Sequence, residues 1–141
     1  MKKIINVVAS VTQIVILISL VILNYFSNKS AGVNHHVIAK KYQFEATILN
    51  EGNLMMISVI LWIVIILLAL IIVKQKCMNL SLKIEFIKLI ISAIFIEASY
   101  KSTLFKNLNI MPYITLGALL IFVTQTTVVL IDILLQKKDI E

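Results

Sequence analysis

Two pairs of polar side chains recur at one spacing near the two ends of this sequence, inside long apolar stretches. Asn6 and Gln13 are seven residues apart, and so are Gln125 and Asp132. Seven residues are about two helical turns, so each pair shares one face of a helix. Matching the depths of the pairs predicts that their helices pack antiparallel, with Gln13 against Gln125 near mid-membrane and Asn6 beside Asp132 nearer the inner face.

Two interpretations of these four side chains are open. They line a polar path or substrate site, or they hold helices together by hydrogen bonds, which average about 0.6 kcal/mol each inside membranes. We favour the second interpretation. Gly117 and Ala118, on the same helix as Gln125, are small residues that let a neighbouring helix come close.

A charged pair, Glu97 and Lys101, lies in another apolar stretch, where a charge costs on the order of 2.5 to 3.5 kcal/mol at the membrane centre. Lys101 follows Glu97 by one turn, in the order that favours an ion pair, and its long side chain reaches toward the outer surface. We expect an ion pair near the outer leaflet, with a proton or cation carrier as the alternative. Asp132 lies at the opposite depth, so the two carboxylates form no catalytic pair.

Both histidines, His35 and His36, lie in the most polar stretch, 27–53. The apolar residues that alternate with polar ones near its end are Tyr42, Phe44, Ala46 and Ile48. This period of two predicts a small β-hairpin that turns at 39–41 and sets His35 across from Glu45. An irregular loop and an interfacial helix stay open, because the turn lacks the Gly or Asn that such hairpins favour. Adjacent strand residues point to opposite faces, so the histidines predict no metal site.

The elements that must position these side chains are membrane helices. The chain has 141 residues, of which 60% are hydrophobic and 14% are charged, whereas soluble domains are roughly 25% charged. Four stretches reach the roughly 20 apolar residues that a spanning helix needs, and they are 4–26, 54–73, 84–105 and 110–135. The sequence therefore predicts an all-α membrane protein with a single domain, 1–141, formed by a four-transmembrane antiparallel helix bundle with an extracellular loop at 27–53.

Lysine supplies all 13 basic side chains and sets the predicted orientation. With the amino terminus inside, eight of them are cytoplasmic, as the positive-inside bias predicts. These eight are Lys2, Lys3, Lys74, Lys76, Lys83, Lys88, Lys137 and Lys138. Both termini are thus expected in the cytoplasm. The lysines that give the net charge of +6 flank the predicted membrane spans, so no nucleic-acid partner is expected. Lysine without arginine, together with abundant Ile and Asn, is typical of an AT-rich bacterial genome.

The sequence contains no HExxH, no glycine-rich phosphate loop and no Ser, His and Asp arrangement, and the single Cys77 excludes a cysteine metal cage. We therefore expect no enzyme activity, no catalytic residue, no metal and no cofactor. We expect an integral protein of the cell membrane that acts through protein contacts, as an accessory, immunity-type or oligomeric subunit with the external loop as its recognition surface. The alternative is a small oligomeric ion or solute transporter or channel that uses Glu97 with Gln13 and Gln125.

Overall fold

The structure, a computed structural model, describes residues 1–75 and 79–140. Lys76, which belongs to the predicted cytoplasmic lysines, and Cys77 lie outside these residues. Within the two ranges there are six helices and no strand: α1 Lys2–Lys29, α2 Ala31–Ala46, α3 Glu51–Gln75, α4 Leu80–Lys101, α5 Thr103–Lys106 and α6 Met111–Ile140.

Three of these helices, α1, α3 and α6, are long and apolar enough to cross a membrane. The chain is therefore a multi-pass membrane protein of helical architecture. Pro112 lies in the first turn of α6, where its missing N–H removes no helical hydrogen bond. The remaining long helix, α4, contains most of the predicted span 84–105. It carries five charged residues and is not among the three.

Helix α6 is the centre of the molecule. Its most extensive contacts are with α4, followed by those with α1, and it also touches α2 and α3. Near the middle of α1, Gln13 is hydrogen-bonded to Gln125, and at the start of α1, Lys2 is paired with Asp132. Residue numbers thus rise along α1 as they fall along α6. The predicted antiparallel packing of these two helices is confirmed.

Helices α4 and α6 form the antiparallel hairpin that their short connection requires. Ser99 and Thr115, both fully buried, share a hydrogen bond of 2.9 Å between their hydroxyl oxygens. Helix α3 packs mainly on α4, so the long helices lie in the order α1, α6, α4, α3. The main apolar core lies between α3, α4 and α6 and includes Leu61, Leu89 and Phe122. Helix α1 contributes no residue to this core and covers one side of α6.

The predicted β-hairpin is wrong, because residues 31–46 form helix α2. Ser30, in an extended conformation, is the single residue between α1 and α2. The buried or half-buried positions that follow a helical period are Val33, Val37, Lys41 and Phe44. Tyr42 and Ala46, which the hairpin would have placed on one face with Phe44, are exposed instead. The apolar spacings of four and three residues are those of a helix. Of the three structures left open for this stretch, the helix is therefore the one that forms.

Helix α2 is fixed by apolar and polar contacts to the end of the bundle where the chain turns from α4 to α6. Val37, 1% exposed, packs against the start of α6. The side-chain amide of Asn109 donates to Oδ1 of Asn34 over 2.9 Å. Nζ of Lys41 donates to two backbone carbonyls in the turn 106–108, over 2.9 and 3.3 Å. The segment after α1 is therefore a docked helix with one uncovered face.

Candidate functional site

The predicted glutamine pair joins α1 to α6. Nε2 of Gln13 donates a hydrogen bond of 2.8 Å to Oε1 of Gln125, which is itself 2% exposed. The close approach of the helices depends on Gly117. A Cβ at that position would lie 3.0 Å from Cδ1 of Leu20 and 3.3 Å from Cγ2 of Ile16. The small residue therefore sets the spacing between α1 and α6, as the sequence predicted.

Glu85 extends the pair into a chain of polar side chains that crosses three helices. Nε2 of Gln125 donates to Oε2 of Glu85 over 2.7 Å and to the backbone carbonyl of the same residue over 3.0 Å. The other carboxylate oxygen, Oε1, lies 3.0 Å from Nζ of Lys88. Glu85 is 7% exposed, and its negative charge is balanced by Lys88, whose side chain is 45% exposed. The chain runs from Gln13 on α1 through Gln125 on α6 to Glu85 and Lys88 on α4.

Sequence reasoning counted Lys88 among the cytoplasmic lysines but selected neither Glu85 nor Lys88 as a site residue. The antiparallel pairing of α4 with α6 did contain a signal for Glu85. Ser99 and Thr115 are each eight residues from Asn107, so they face each other across the turn. Counted from this pair, Glu85 lies 14 residues back and Gln125 ten residues on. The difference is about one turn, which two long side chains span.

Glu97 forms a second cluster, between α4 and α3. Its Oε2 lies 3.0 Å from Nζ of Lys101, so the predicted ion pair is confirmed. Its Oε1 accepts two hydrogen bonds from α3, one from Oγ of Ser58 and one from Nε1 of Trp62, each of 2.7 Å. The two α3 donors are one turn apart and act together on one oxygen. Sequence reasoning did not connect Ser58 and Trp62 with Glu97, although both polar groups lie in an otherwise apolar helix.

The two clusters are separate sites. Glu97 lies 12 residues beyond Glu85 on α4, about 18 Å along the helix and about 120° around it. Glu85 therefore faces α6, whereas Glu97 faces α3. The residues that the sequence grouped as a transport site are divided, because Gln13 and Gln125 join Glu85 while Glu97 joins Lys101.

No protein-family model, curated protein or solved structure matches the chain.

The chemistry of both clusters is that of stabilised anions. Both oxygens of Glu85 and both oxygens of Glu97 are engaged by donors of the chain itself. A carboxylate held in this way balances charge and joins helices.

Near the start of α1, Lys2 takes the place beside Asp132 that the sequence predicted for Asn6. Nζ of Lys2 lies 3.4 Å from Oδ2 of Asp132, which is 1% exposed. No hydrogen bond joins Asn6 to Asp132, and Oδ1 of Asn6 is buried without a partner among the described residues. Lys2 lies one turn before Asn6 on the same face of α1, and its full positive charge attracts the carboxylate more strongly than an amide does.

The structure does not bring His35, His36 and Glu45 together. His35 and Glu45 are ten residues apart on α2, roughly 15 Å along its axis, so the predicted contact between them is wrong. Glu45 instead lies 4.0 Å from Nζ of Lys41, and both histidines are exposed. In the described part of the chain, no group of three or more His, Cys, Asp or Glu side chains is placed to hold a metal ion.

Proposed function

We propose that this protein is a non-enzymatic four-helix protein of the cell membrane that acts through contacts with membrane proteins, with α2 as its recognition surface. The observation that carries the proposal is the way α2 is attached. Val37 and Lys41 fix one face of the helix, while His35 and Tyr42, seven residues apart on the opposite face, are exposed. A rigid helix with one uncovered, partly aromatic face is suited to recognition of another protein.

The four-span part of this proposal, with α4 as the additional span, is supported by the length, position and ion pairs of α4. Helix α4 has 22 residues, about 33 Å in length, which is enough to cross a hydrocarbon core of about 30 Å. It lies beside α3 and antiparallel to α6, both of which are apolar enough to span. Its Glu85 and Glu97 are paired with Lys88 and Lys101, which lowers the cost of placing them in lipid. Four spans put both termini on the lysine-rich, cytoplasmic side.

Photo-crosslinking in native membranes tests the recognition surface. A photoreactive amino acid at Tyr42, which is 68% exposed, is expected to give a discrete protein adduct, identified by mass spectrometry as another membrane protein or a second copy. The same group at Leu70, exposed on α3, is the matched control and is expected to give lipid adducts alone. Equal protein adducts from both positions, or none from Tyr42 and His35, would contradict the proposal.

Labelling of introduced cysteines tests the topology. With Cys77→Ser as the background, a cysteine at Tyr42 is expected to react with an impermeant maleimide in intact cells. A cysteine at Lys138 is expected to react only after the membrane is made permeable. Reaction of both positions under the same condition would refute the four-span arrangement.

A small ion or solute transporter is the second candidate, and Glu85 is the observation that favours it. A buried carboxylate inside a membrane protein is a common part of ion and proton pathways. Flux into proteoliposomes compares the wild type with Glu85→Gln and with Glu97→Gln. If Glu85→Gln abolishes the flux and Glu97→Gln leaves it intact, transport passes through the cluster that contains Glu85. If Glu97→Gln abolishes the flux, transport uses Glu97, as the sequence first suggested. No flux from a folded wild type favours the contact function.

A further inference from the structure

A groove of about 1000 Å³ opens at the end of the bundle to which α2 is docked. It lies between the turn after α2, the start of α3 and the end of α4, and its volume is at the upper end of the range of about 300 to 1,000 Å³ found for ligand sites. Its apolar lining consists of Leu49, Leu54, Met55, Val59 and Met111. Leu49 and Met111 are almost fully buried, so the groove has a firm apolar floor.

Tyr100 is one of the residues that line the groove, and its hydroxyl group lacks a hydrogen-bond partner. The residue is 7% exposed, and its hydroxyl oxygen is buried without a hydrogen bond to any described residue. A buried polar group without a partner lowers stability, and native structures contain few of them. An acceptor oxygen on a molecule bound in the groove would satisfy this hydroxyl.

Charges of both signs surround the opening of the groove. Lys101 and Lys106 contribute two ammonium groups, and Glu45 and Glu51 contribute two carboxylates. Within the described residues, Lys106 and Glu51 have no ion-pair partner. Lys101 uses one of its three N–H donors on Glu97 and keeps two. The balance of charges fits a ligand that carries a positive and a negative group together.

The groove continues onto the face of α3 that is uncovered by protein. Met55 and Val59 also line a second depression of about 310 Å³, together with Met56 and Ile60. All four side chains are more than half exposed. If α3 spans the membrane, acyl chains cover this depression, so one molecule with a charged head and an apolar tail fills both parts. A soluble peptide or metabolite in the groove would leave the depression on α3 empty.

We propose that the groove binds one phospholipid with a zwitterionic, amine-bearing headgroup. Lys101 and Lys106 bind the phosphate, and Glu51 binds the ammonium group of the headgroup. The hydroxyl of Tyr100 donates to a phosphate or ester oxygen, and one acyl chain lies along Met55 and Val59. The inference depends on the membrane position of α3 and α4 and is independent of recognition by α2.

Native mass spectrometry of the full chain, released from nanodiscs of defined composition, tests the site. The discs contain phosphatidylethanolamine and phosphatidylglycerol in equal amounts. We expect one retained phosphatidylethanolamine per protein. Tyr100→Phe is expected to weaken retention about fivefold, as loss of one hydrogen bond predicts. The melting temperature of the lipid-free protein is expected to stay the same or rise, because the hydroxyl has no protein partner to lose and its burial without one lowers stability. Lys106→Ala is expected to weaken retention about tenfold through loss of a charge-assisted bond.

The controls are Tyr42→Phe and Lys29→Ala, which change the same residue types outside the groove and are expected to retain the lipid as the wild type does. Equal retention by all five proteins, or preference for phosphatidylglycerol, would overturn the proposal. Glycerophosphoethanolamine, which has the headgroup without acyl chains, is added as a soluble competitor. Displacement of the lipid by equimolar competitor would assign the groove to a soluble ligand and also overturn it.

Discussion

Removal of Gln125 is the most direct perturbation of the chain of polar side chains. Gln125 takes part in three hydrogen bonds between helices, of 2.8 Å with Gln13, 2.7 Å with the carboxylate of Glu85 and 3.0 Å with its backbone carbonyl. Such bonds average about 0.6 kcal/mol inside membranes and reach about 1.7 kcal/mol. Gln125→Leu is therefore expected to lower the free energy of unfolding by about 2 kcal/mol. The loss rises toward about 3 kcal/mol if the bond to the charged carboxylate has its full value.

A double-mutant cycle isolates the bond between the two glutamines. Gln13→Leu alone is expected to cost about 0.6 to 1.2 kcal/mol, because it removes the bond to Gln125 and a longer bond of 3.5 Å from Nε2 to Oγ1 of Thr124. Gln125→Leu removes the bond between the two glutamines as well, so the double variant is expected to be more stable than the sum of the two changes predicts, by about 0.6 to 1.7 kcal/mol. The measurement is unfolding by SDS in detergent micelles. Fluorescence of Trp62, the only tryptophan, reports the separation of α3 from α4.

Thr127→Val is the matched control on α6. Its hydroxyl donates to the backbone carbonyl of Val123 on its own helix, so its combination with Gln13→Leu is expected to be additive. Additivity of Gln13→Leu and Gln125→Leu to within about 0.3 kcal/mol would refute the paired geometry. A cost for Gln125→Leu no larger than that of the control would refute the whole chain of bonds.

Three further perturbations test the helix contacts. Gly117→Ile is expected to destabilise the protein by about 1 to 3 kcal/mol, because a Cβ there would lie 3.0 Å from a leucine of α1, whereas Gly32→Ala has open space and is expected to be neutral or stabilising. Ser58→Ala and Glu97→Gln are expected to be less than additive, by about 0.6 kcal/mol, because each weakens the same bond between helices. Val37→Ala is expected to accelerate hydrogen exchange of α2, while exchange in α4 stays unchanged, because Val37 packs on the start of α6.

Each of these perturbations has its own control. Ser19→Ala removes a hydroxyl that bonds only to its own helix, so it is expected to be additive with Glu97→Gln. Tyr42→Ala changes the uncovered face of α2 and is expected to leave exchange unchanged. A stable Gly117→Ile variant would contradict the close packing of α1 on α6. Equal rates of hydrogen exchange in α2 for Val37→Ala and Tyr42→Ala would contradict the docking of α2.

The pairing of Gln13 with Gln125 was predictable from the sequence because two constraints agree. An amide in an apolar helix has few polar partners, and its depth follows from its distance to the helix end. The same reasoning failed for Asp132. Lys2 and Asn6 lie one turn apart on one face of α1, so depth alone does not choose between them. The choice is made by charge, since a long cationic side chain reaches a carboxylate across about one turn.

The structure of residues 31–46 was not predictable from the alternation near their end. A period of two over four apolar positions competes with a helical stripe that begins at Val33 and ends at Phe44. The stripe is longer, and the residues between its members include three good helix formers, Ala39, Lys40 and Gln43. The stretch also lacks the turn residues that a hairpin needs. The β-hairpin therefore had local support at one end only, whereas the helix had support along the whole segment.

Helix α4 shows why charge content alone is a poor guide to its place in the bundle. Its five charges set it apart from the apolar helices, yet two of them, Glu85 and Glu97, bond its neighbours. The two carboxylates lie about 18 Å apart along the helix and about 120° around it. One therefore ties α4 to α6 in one half of the helix, and the other ties it to α3 in the other half. Two bonds at different heights and on different faces fix both the rotation and the axial position of α4, which apolar packing alone specifies weakly in lipid.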